Sequence, residues 1–230
     1  MLTLVRNLLR PLRRLAGHGP VGFEGSALYW QRRYRTGGTS GPGSYGELAL
    51  FKAEVLNRFV STENVTSLIE FGCGDGHQLT LAEYPAYIGY DVSPDAVKMC
   101  RERFSRDPLK SFKVMENYDR ELADATLSLD VIYHLVEDDT FHQYMEILFN
   151  SSMKWVVVYS SNFEGAGDDH AKHVRHREFT RWVHVYRPDW LLVRTVANRF
   201  PFRGDYETGS HADFFFFRKG EAFQEREESL

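Results

Sequence analysis

The chain has 230 residues, 43% of them hydrophobic and 26% charged, with a net charge of -4. That length supports one large domain with a sizeable core. The small acid excess excludes a bulk electrostatic pull on nucleic acid. Two cysteines, Cys73 and Cys100, exclude a disulfide scaffold and fit a reducing, cytoplasmic setting. No apolar run reaches the ~18 residues that a membrane span requires.

Residues 1–20 carry Arg6, Arg10, Arg13 and Arg14 and no acid. Leu2, Val5, Leu9 and Leu12 fall roughly on one helical face, which Pro11 would kink. Residues 1–16 read as a basic amphipathic element that touches a membrane surface or a partner, or else as a helix docked on its own domain. Next comes Tyr29-Trp30-Gln31-Arg32-Arg33-Tyr34, then a glycine-rich link from Gly37 to Gly46. Such a link cannot pack a core; it is a plain connector or a lid over a ligand, with Tyr45 beside it. Glu47 to Phe59 has the periodicity of a helix.

Strands and helices then alternate. Strands are expected at Val65–Phe71, Ala86–Asp91, Phe112–Met115, Ala125–Leu129 and Met153–Ser160. Helices are expected at His77–Tyr84, from Pro94 to about Ser105 behind a Ser93 cap, and at Asp138–Asn150. Alternation of this kind implies a parallel sheet with helices on both faces, a three-layer α/β/α sandwich. Two further strands, Trp190–Val196 and Ala212–Phe217, have no helix-length segment between them. Their simplest pairing is antiparallel.

The first strand leads into Glu70-Phe71-Gly72-Cys73-Gly74-Asp75-Gly76-His77. A dinucleotide fingerprint needs Gly-x-Gly-x-x-Gly, and His77 stands where its third glycine belongs. The Glu-x-Gly-x-Gly-x-Gly pattern instead resembles motif I of the class I S-adenosylmethionine-dependent methyltransferases. The Tyr-Trp-x-x-Arg-Tyr stretch resembles the first helix of many of them. The resemblance implies a Rossmann-like, mostly parallel seven-stranded sheet, its antiparallel last strand inserted between the fifth and sixth. It divides the chain into N-terminal helices and lid (residues 1–60) and a cofactor-binding unit (residues 61–230).

The resemblance also implies S-adenosylmethionine as cofactor, held by Glu70, Gly72, Gly74, Gly76 and Asp91. Asp91 lies seventeen residues past Gly74, where a carboxylate can accept from both ribose hydroxyls. Val92 can pack on the adenine, and Glu116, in competition with Asp119, can read its amino group. Cys73, Asp130 and the lid residue Tyr45 complete the expected cofactor contacts.

The chemistry is expected after the fourth and fifth strands. Asp130 and His134 are four apart, so on a helical turn the carboxylate can orient the imidazole for proton abstraction. Alternatively, His134 simply closes the cofactor pocket. His170, His173 and His176 suggest a metal site, but their strict three-residue step drifts around a helix and lacks a Glu-x-x-His partner, so no metal is expected. Arg175, Arg177 and Arg181 suit an anionic acceptor, with His173 or His176 as base; the alternative is a solvated loop. The pattern resembles small bacterial methyltransferases of sugars, glycans and secondary metabolites, and implies O-methylation of a small anionic acceptor and no nucleic-acid partner. N- or carboxyl methylation, or a non-catalytic binding module, are the alternatives.

Overall fold

A computed structural model describes residues 23–166 and 171–220. The basic residues 1–16, Asp168, Asp169 and His170 lie outside the described residues. The elements run in the order α1 (Ser26–Arg35), α2 (Gly46–Thr62), β1 (Ser67–Phe71), β2 (Ala86–Asp91), α3 (Pro94–Arg103), β3 (Lys110–Val114), β4 (Ala123–Leu129), α4 (Asp138–Asn150) and β5 (Ser152–Ser160). Then come β6 (Gly165–Ala166), β7 (Arg175–His176), α5 (Phe179–Tyr186), β8 (Trp190–Val196) and β9 (Asp213–Lys219).

Seven strands form one sheet in the order β3-β2-β1-β4-β5-β9-β8. The first five are parallel, and β9 is antiparallel to both β5 and β8. The last strand is therefore inserted between the fifth and the sixth of the sheet, as expected. Its sequence explains why it lies there. Phe214 and Phe216 pack into the core on one face, Phe215 and Phe217 into the core on the other. Four successive buried phenylalanines need a strand covered on both faces and flanked on both edges.

The two faces carry different helices. Phe51, Leu56 and Phe59 of α2 and Val97 and Cys100 of α3 cover one. Phe141, Met145, Leu148 and Phe149 of α4 and Phe179, Trp182 and Val183 of α5 cover the other. The α4 set follows the i, i+4, i+7, i+8 spacing of an apolar helix stripe. Helix α3 begins where the sequence indicates: Pro94 occupies its first turn and the Ser93 hydroxyl accepts from the Ala96 amide at 3.3 Å.

One local expectation fails. The helix expected at His77–Tyr84 is only a 3-10 turn, Gln78–Leu81. Pro85 ends the segment, and the Thr80 hydroxyl donates back to the His77 carbonyl at 2.7 Å, an alternative to helical continuation. In addition, β6 and β7 form a separate two-stranded ribbon after β5.

Phe149 is fully buried against Trp190, Phe217 and Trp182. Phe149→Ala is expected to lower unfolding free energy by about 3–5 kcal/mol. Leu191→Ser, on the exposed edge strand, is expected to change it by less than about 0.5 kcal/mol. Urea unfolding followed by far-UV circular dichroism measures both.

Candidate active site

The carboxyl ends of β1, β2 and β4 open into one cavity, roofed by α1 and by the loop from Gly38 to Tyr45. In an open parallel sheet this is the edge where ligands bind. The glycine turn forms its floor. Gly72 and Gly74 have φ of 88° and 57°. A side chain on Gly72 would come within 2.5 Å of Val131, and one on Gly74 within 2.3 Å of the Ser40 hydroxyl.

Every amide of the turn has a partner inside the protein. Gly72 and Cys73 donate to the Tyr90 carbonyl at 2.7 and 3.0 Å. Gly74 donates to Asp91 Oδ2 at 2.9 Å and Asp75 to Ser40 Oγ at 3.0 Å. Gly76 donates to the Cys73 carbonyl and His77 to Asp75 Oδ1. No α-helix follows to add its dipole. A pyrophosphate would find no amide donors here, whereas dinucleotide sites depend on them. The turn shapes the cavity floor and does not serve as an anion cradle.

Charge points the same way. Glu70, Asp75, Asp91 and Asp130 line the cavity against one cation, Lys52. The cavity therefore favours a positively charged ligand. Burial pushes Asp91 up to about 6, although the Ser93, Gly74 and Val92 amides pull it down. Each Asp91 oxygen accepts one amide, Gly74 at 2.9 Å or Ser93 at 2.8 Å, and keeps lone-pair capacity for a hydroxyl. Burial pushes Glu70 up to about 7, outweighing its bond from Tyr87 (2.7 Å) and the nearby Lys52.

Several cavity residues were not expected. Asp75 works against burial: the Ser40 and His77 amides and the Tyr45 hydroxyl hold its carboxyl below the usual range. It fixes the roof loop through Ser40 N at 2.9 Å and Tyr45 Oη at 2.8 Å. Lys52, 1% exposed, pairs with Asp130 Oδ2 at 2.6 Å. A lysine within the apolar stripe of α2 was the available sequence signal. Trp30 and Tyr34 supply the roof from α1. That helix is tied down by Ser26, whose amide and hydroxyl donate to the Glu137 carboxylate at 2.9 and 2.7 Å.

Of the expected cofactor contacts, Glu70, Gly72, Cys73, Gly74, Asp91, Val92 and Asp130 line the cavity. Three do not. Tyr45 turns to Asp75 and stacks on His77 at 4.1 Å. Gly76 packs beneath the turn, where a side chain would meet Cys100 at 2.9 Å. Glu116 is exposed on a 3-10 turn, and Met115 takes its place at the cavity.

The catalytic expectations change more. Asp130 does not orient His134. Its oxygens go to Lys52 and to the Tyr133 hydroxyl (2.8 Å), because its left-handed backbone (φ 59°) turns the carboxylate away from a helical i, i+4 alignment. His134 Nδ1 instead lies 3.1 Å from the His173 carbonyl. A carbonyl only accepts, so Nδ1 carries the proton and Nε2 the lone pair. Burial and the neighbouring His173 push this imidazole down to about 3. His134 lines the cavity; His173 stacks behind it at 5.2 Å and is itself stacked on Tyr29 at 4.4 Å. His176 is buried, its Nδ1 2.6 Å from the Ser161 hydroxyl.

The arginines do not face the cavity. Arg177 donates to the Leu135 and Val136 carbonyls at 2.7 and 2.8 Å and pairs with Asp138. Arg175 donates to Val136 and also pairs with Asp138. With Arg181 they line a separate groove beside α4 and α5, where Asp138, Glu164 and Glu178 balance their charge. They lie apart from the cofactor cavity, contrary to the expected placement beside it. Among the described residues, no group of three or more His, Cys, Asp or Glu side chains can hold a metal ion.

The raised Glu70 carboxyl has two consequences of opposite sign. Neutral Glu70 suits the empty fold, so its stabilising contribution is present below its usual range and is lost as pH rises through about 7. A bound sulfonium and ammonium favour the ionised form. S-adenosylmethionine affinity is therefore expected to rise with pH through about 7, with proton release. Calorimetry in buffers of different ionisation enthalpy measures this, and Glu70→Gln should flatten the dependence.

Comparison with known proteins points to a methyltransferase domain and fold. A methyltransferase-domain family model matches residues 69–148, which run from β1 through α4. No curated protein sequence matches the chain. Among solved structures, the N-methyltransferase NodS from Bradyrhizobium japonicum WM9, crystallised with S-adenosyl-L-homocysteine, is 15% identical with a TM-score of 0.64, covering 86% of this chain and 100% of its own. The methyltransferase domain of bacterial-CtHen1-C is 21% identical with a TM-score of 0.57, covering 75% and 98%. Magnesium protoporphyrin IX methyltransferase from Synechocystis PCC 6803 is 13% identical with a TM-score of 0.55, covering 89% and 90%. That domain match spans the strands and the acid-lined cavity described above, and the solved structures share this fold, so residues 69–148 match a methyltransferase domain within the class I methyltransferase fold.

Proposed function

We propose that the protein methylates a hydroxyl group of a small acceptor, and that His134 receives the hydroxyl proton. The observation that carries this reading is the placement of His134: it is the one histidine among His134, His173 and His176 that lines the cofactor cavity, and its tautomer leaves Nε2 as acceptor. In the same reading Asp91 holds the ribose hydroxyls, Val92 and Met115 flank the adenine, and Glu70 faces the ammonium group.

The transfer is an in-line displacement. The acceptor oxygen attacks the sulfonium methyl, the carbon–sulfur bond breaks, and its electron pair stays on sulfur as the neutral thioether. Alignment supplies most of the acceleration. The acceptor hydroxyl donates to His134 Nε2, which fixes one oxygen lone pair on the methyl carbon. An imidazole pushed down to about 3 is a weak base at rest. As the new carbon–oxygen bond forms, the hydroxyl takes on the acidity of an oxonium, and its proton then moves downhill to Nε2. An amine acceptor would gain nothing from so weak a base, because its conjugate acid is far less acidic than imidazolium.

His134→Ala is expected to lower kcat by roughly 10²–10⁴-fold and to leave S-adenosylmethionine affinity within about threefold of the native value, since Asp91 and the glycine turn are untouched. Because His134 stays unprotonated down to about 3, kcat at saturating cofactor should show no acid-limb loss at the usual imidazole range. Steady-state assays of S-adenosylhomocysteine release test both. A normal kcat in His134→Ala would point to an acceptor that needs no proton removal.

A further inference from the structure

Beyond His134 the same edge of the sheet carries a group of rings that the cofactor does not use. Strand β9 is antiparallel to both β5 and β8, so β8 runs parallel to β5. The segment between β8 and β9, residues 197–212, therefore emerges at the cofactor edge. It folds into an arm closed by Phe202 N to Ser210 O and Ser210 N to Phe200 O, both 3.0 Å. The arm presents Phe202, with Tyr206 at 4.4 Å and His211 at 4.3 Å. Phe163, after β5, meets this group at 5.6 Å from His211 and stacks near His176 at 4.6 Å. Tyr206 and Phe163 are 48% and 42% exposed, so their ring faces are reachable from solvent.

Tyr133 joins these rings to the reaction centre. Its ring lies 6.0 Å from His176 and 4.5 Å from His134. Tyr206 is close enough to act electrostatically on the Tyr133 hydroxyl. Of the nearby charges, Arg199 pairs with Glu54 at 2.9 Å and Asp205 accepts from Glu207 N and Thr208 Oγ1, while Arg203 and Glu207 are exposed on the same arm with opposite charges. The surface offers flat apolar faces on the same sheet edge as the cofactor cavity, and little net charge. Flat rings stack on such faces with a gain of about 0.5–1.5 kcal/mol per pair beyond burial.

We propose that this platform, Phe163, Phe202, Tyr206 and His211, is the acceptor subsite, and that the acceptor is a planar aromatic ring whose methylated oxygen is a phenolic hydroxyl. The assignment rests on the hydroxyl-transfer reading above and narrows it to one substrate class. A phenol fits a weakly basic partner better than an aliphatic alcohol does, since phenolic hydroxyls ionise near pH 10, as the tyrosine side chain does. The balance is that of the displacement already given: the phenol oxygen gains the methyl, the sulfonium becomes a thioether, and the proton passes through His134 to solvent.

The test uses the full chain with S-adenosylmethionine and three probes of one shape: 2-naphthol, its saturated analogue decahydro-2-naphthol, and 2-naphthylamine. Mass spectrometry reads methyl transfer, and saturation-transfer NMR with S-adenosylhomocysteine bound reads probe binding. The expected result is O-methylation of 2-naphthol and none of the saturated alcohol. Phe202→Ala and Tyr206→Ala should each raise KM for 2-naphthol about tenfold, while cofactor affinity, which reports an intact fold, stays unchanged. Equal use of the saturated alcohol, or an unmoved KM in both variants, would overturn the subsite and leave hydroxyl transfer standing. Transfer to 2-naphthylamine alone, with KM raised in both variants, would overturn hydroxyl transfer and leave the platform. If 2-naphthol neither binds nor reacts, the aromatic assignment fails.

Discussion

The whole site depends on one constraint: the amides of the glycine turn are consumed inside the protein. Buried backbone donors must find partners, and here the Tyr90 carbonyl, Asp91, Ser40, Cys73 and Asp75 provide them. A turn closed in this way cannot grip phosphate through its N–H groups. Its glycines serve approach and shape, letting Val131 and Ser40 come close from above. The same bonds lock the turn to β2 and to the roof loop, so floor and roof of the cavity are one hydrogen-bonded unit.

Buried charge sets the cavity's preference for a cation, and one pair keeps that arrangement tolerable. Lys52 and Asp130 lie 78 residues apart and meet at 2.6 Å, the lysine fully buried and the carboxylate half-buried. Losing one member of such a pair typically costs about 3–5 kcal/mol, because the other is left buried and unpaired. The pair also spans the site. Lys52 lies 5.4 Å from the Tyr159 ring and near Glu70, while Asp130 meets the Tyr133 hydroxyl and faces Gly43 of the roof loop. The left-handed backbone at Asp130 is the local strain that allows one carboxylate to serve these neighbours.

The cofactor half was legible because its signals are local. Gly72, Gly74 and Asp91 act through backbone conformation and a fixed spacing, and both survive transfer from sequence to fold. The phenylalanine run of β9 needed two buried faces, and the inserted strand provides them. The helix expected after the turn was misread, since Pro85 and the backward bond of Thr80 leave room only for a 3-10 turn. The acceptor half was much less legible. Arg175 and Arg177 looked like part of an anion clamp, but carbonyls of the segment after β4 and Asp138 take their donors first.

The sequence by itself determined the alternation of strands and helices, the antiparallel pairing of the last two strands, and the glycine turn with Asp91 at its fixed spacing. Periodicity, turn chemistry and burial pattern are properties of neighbouring residues, so they can be read along the chain. Only the tertiary structure decided which histidine reaches the cavity, that Asp130 answers Lys52 and not His134, that Asp75 ties down the roof, and that Arg177 serves carbonyls about forty residues away. Those choices are competitions among many polar groups for a few partners in three dimensions. Ser26 and Glu137, 111 residues apart, carry no mark in the sequence of the bonds that hold α1 over the cofactor cavity.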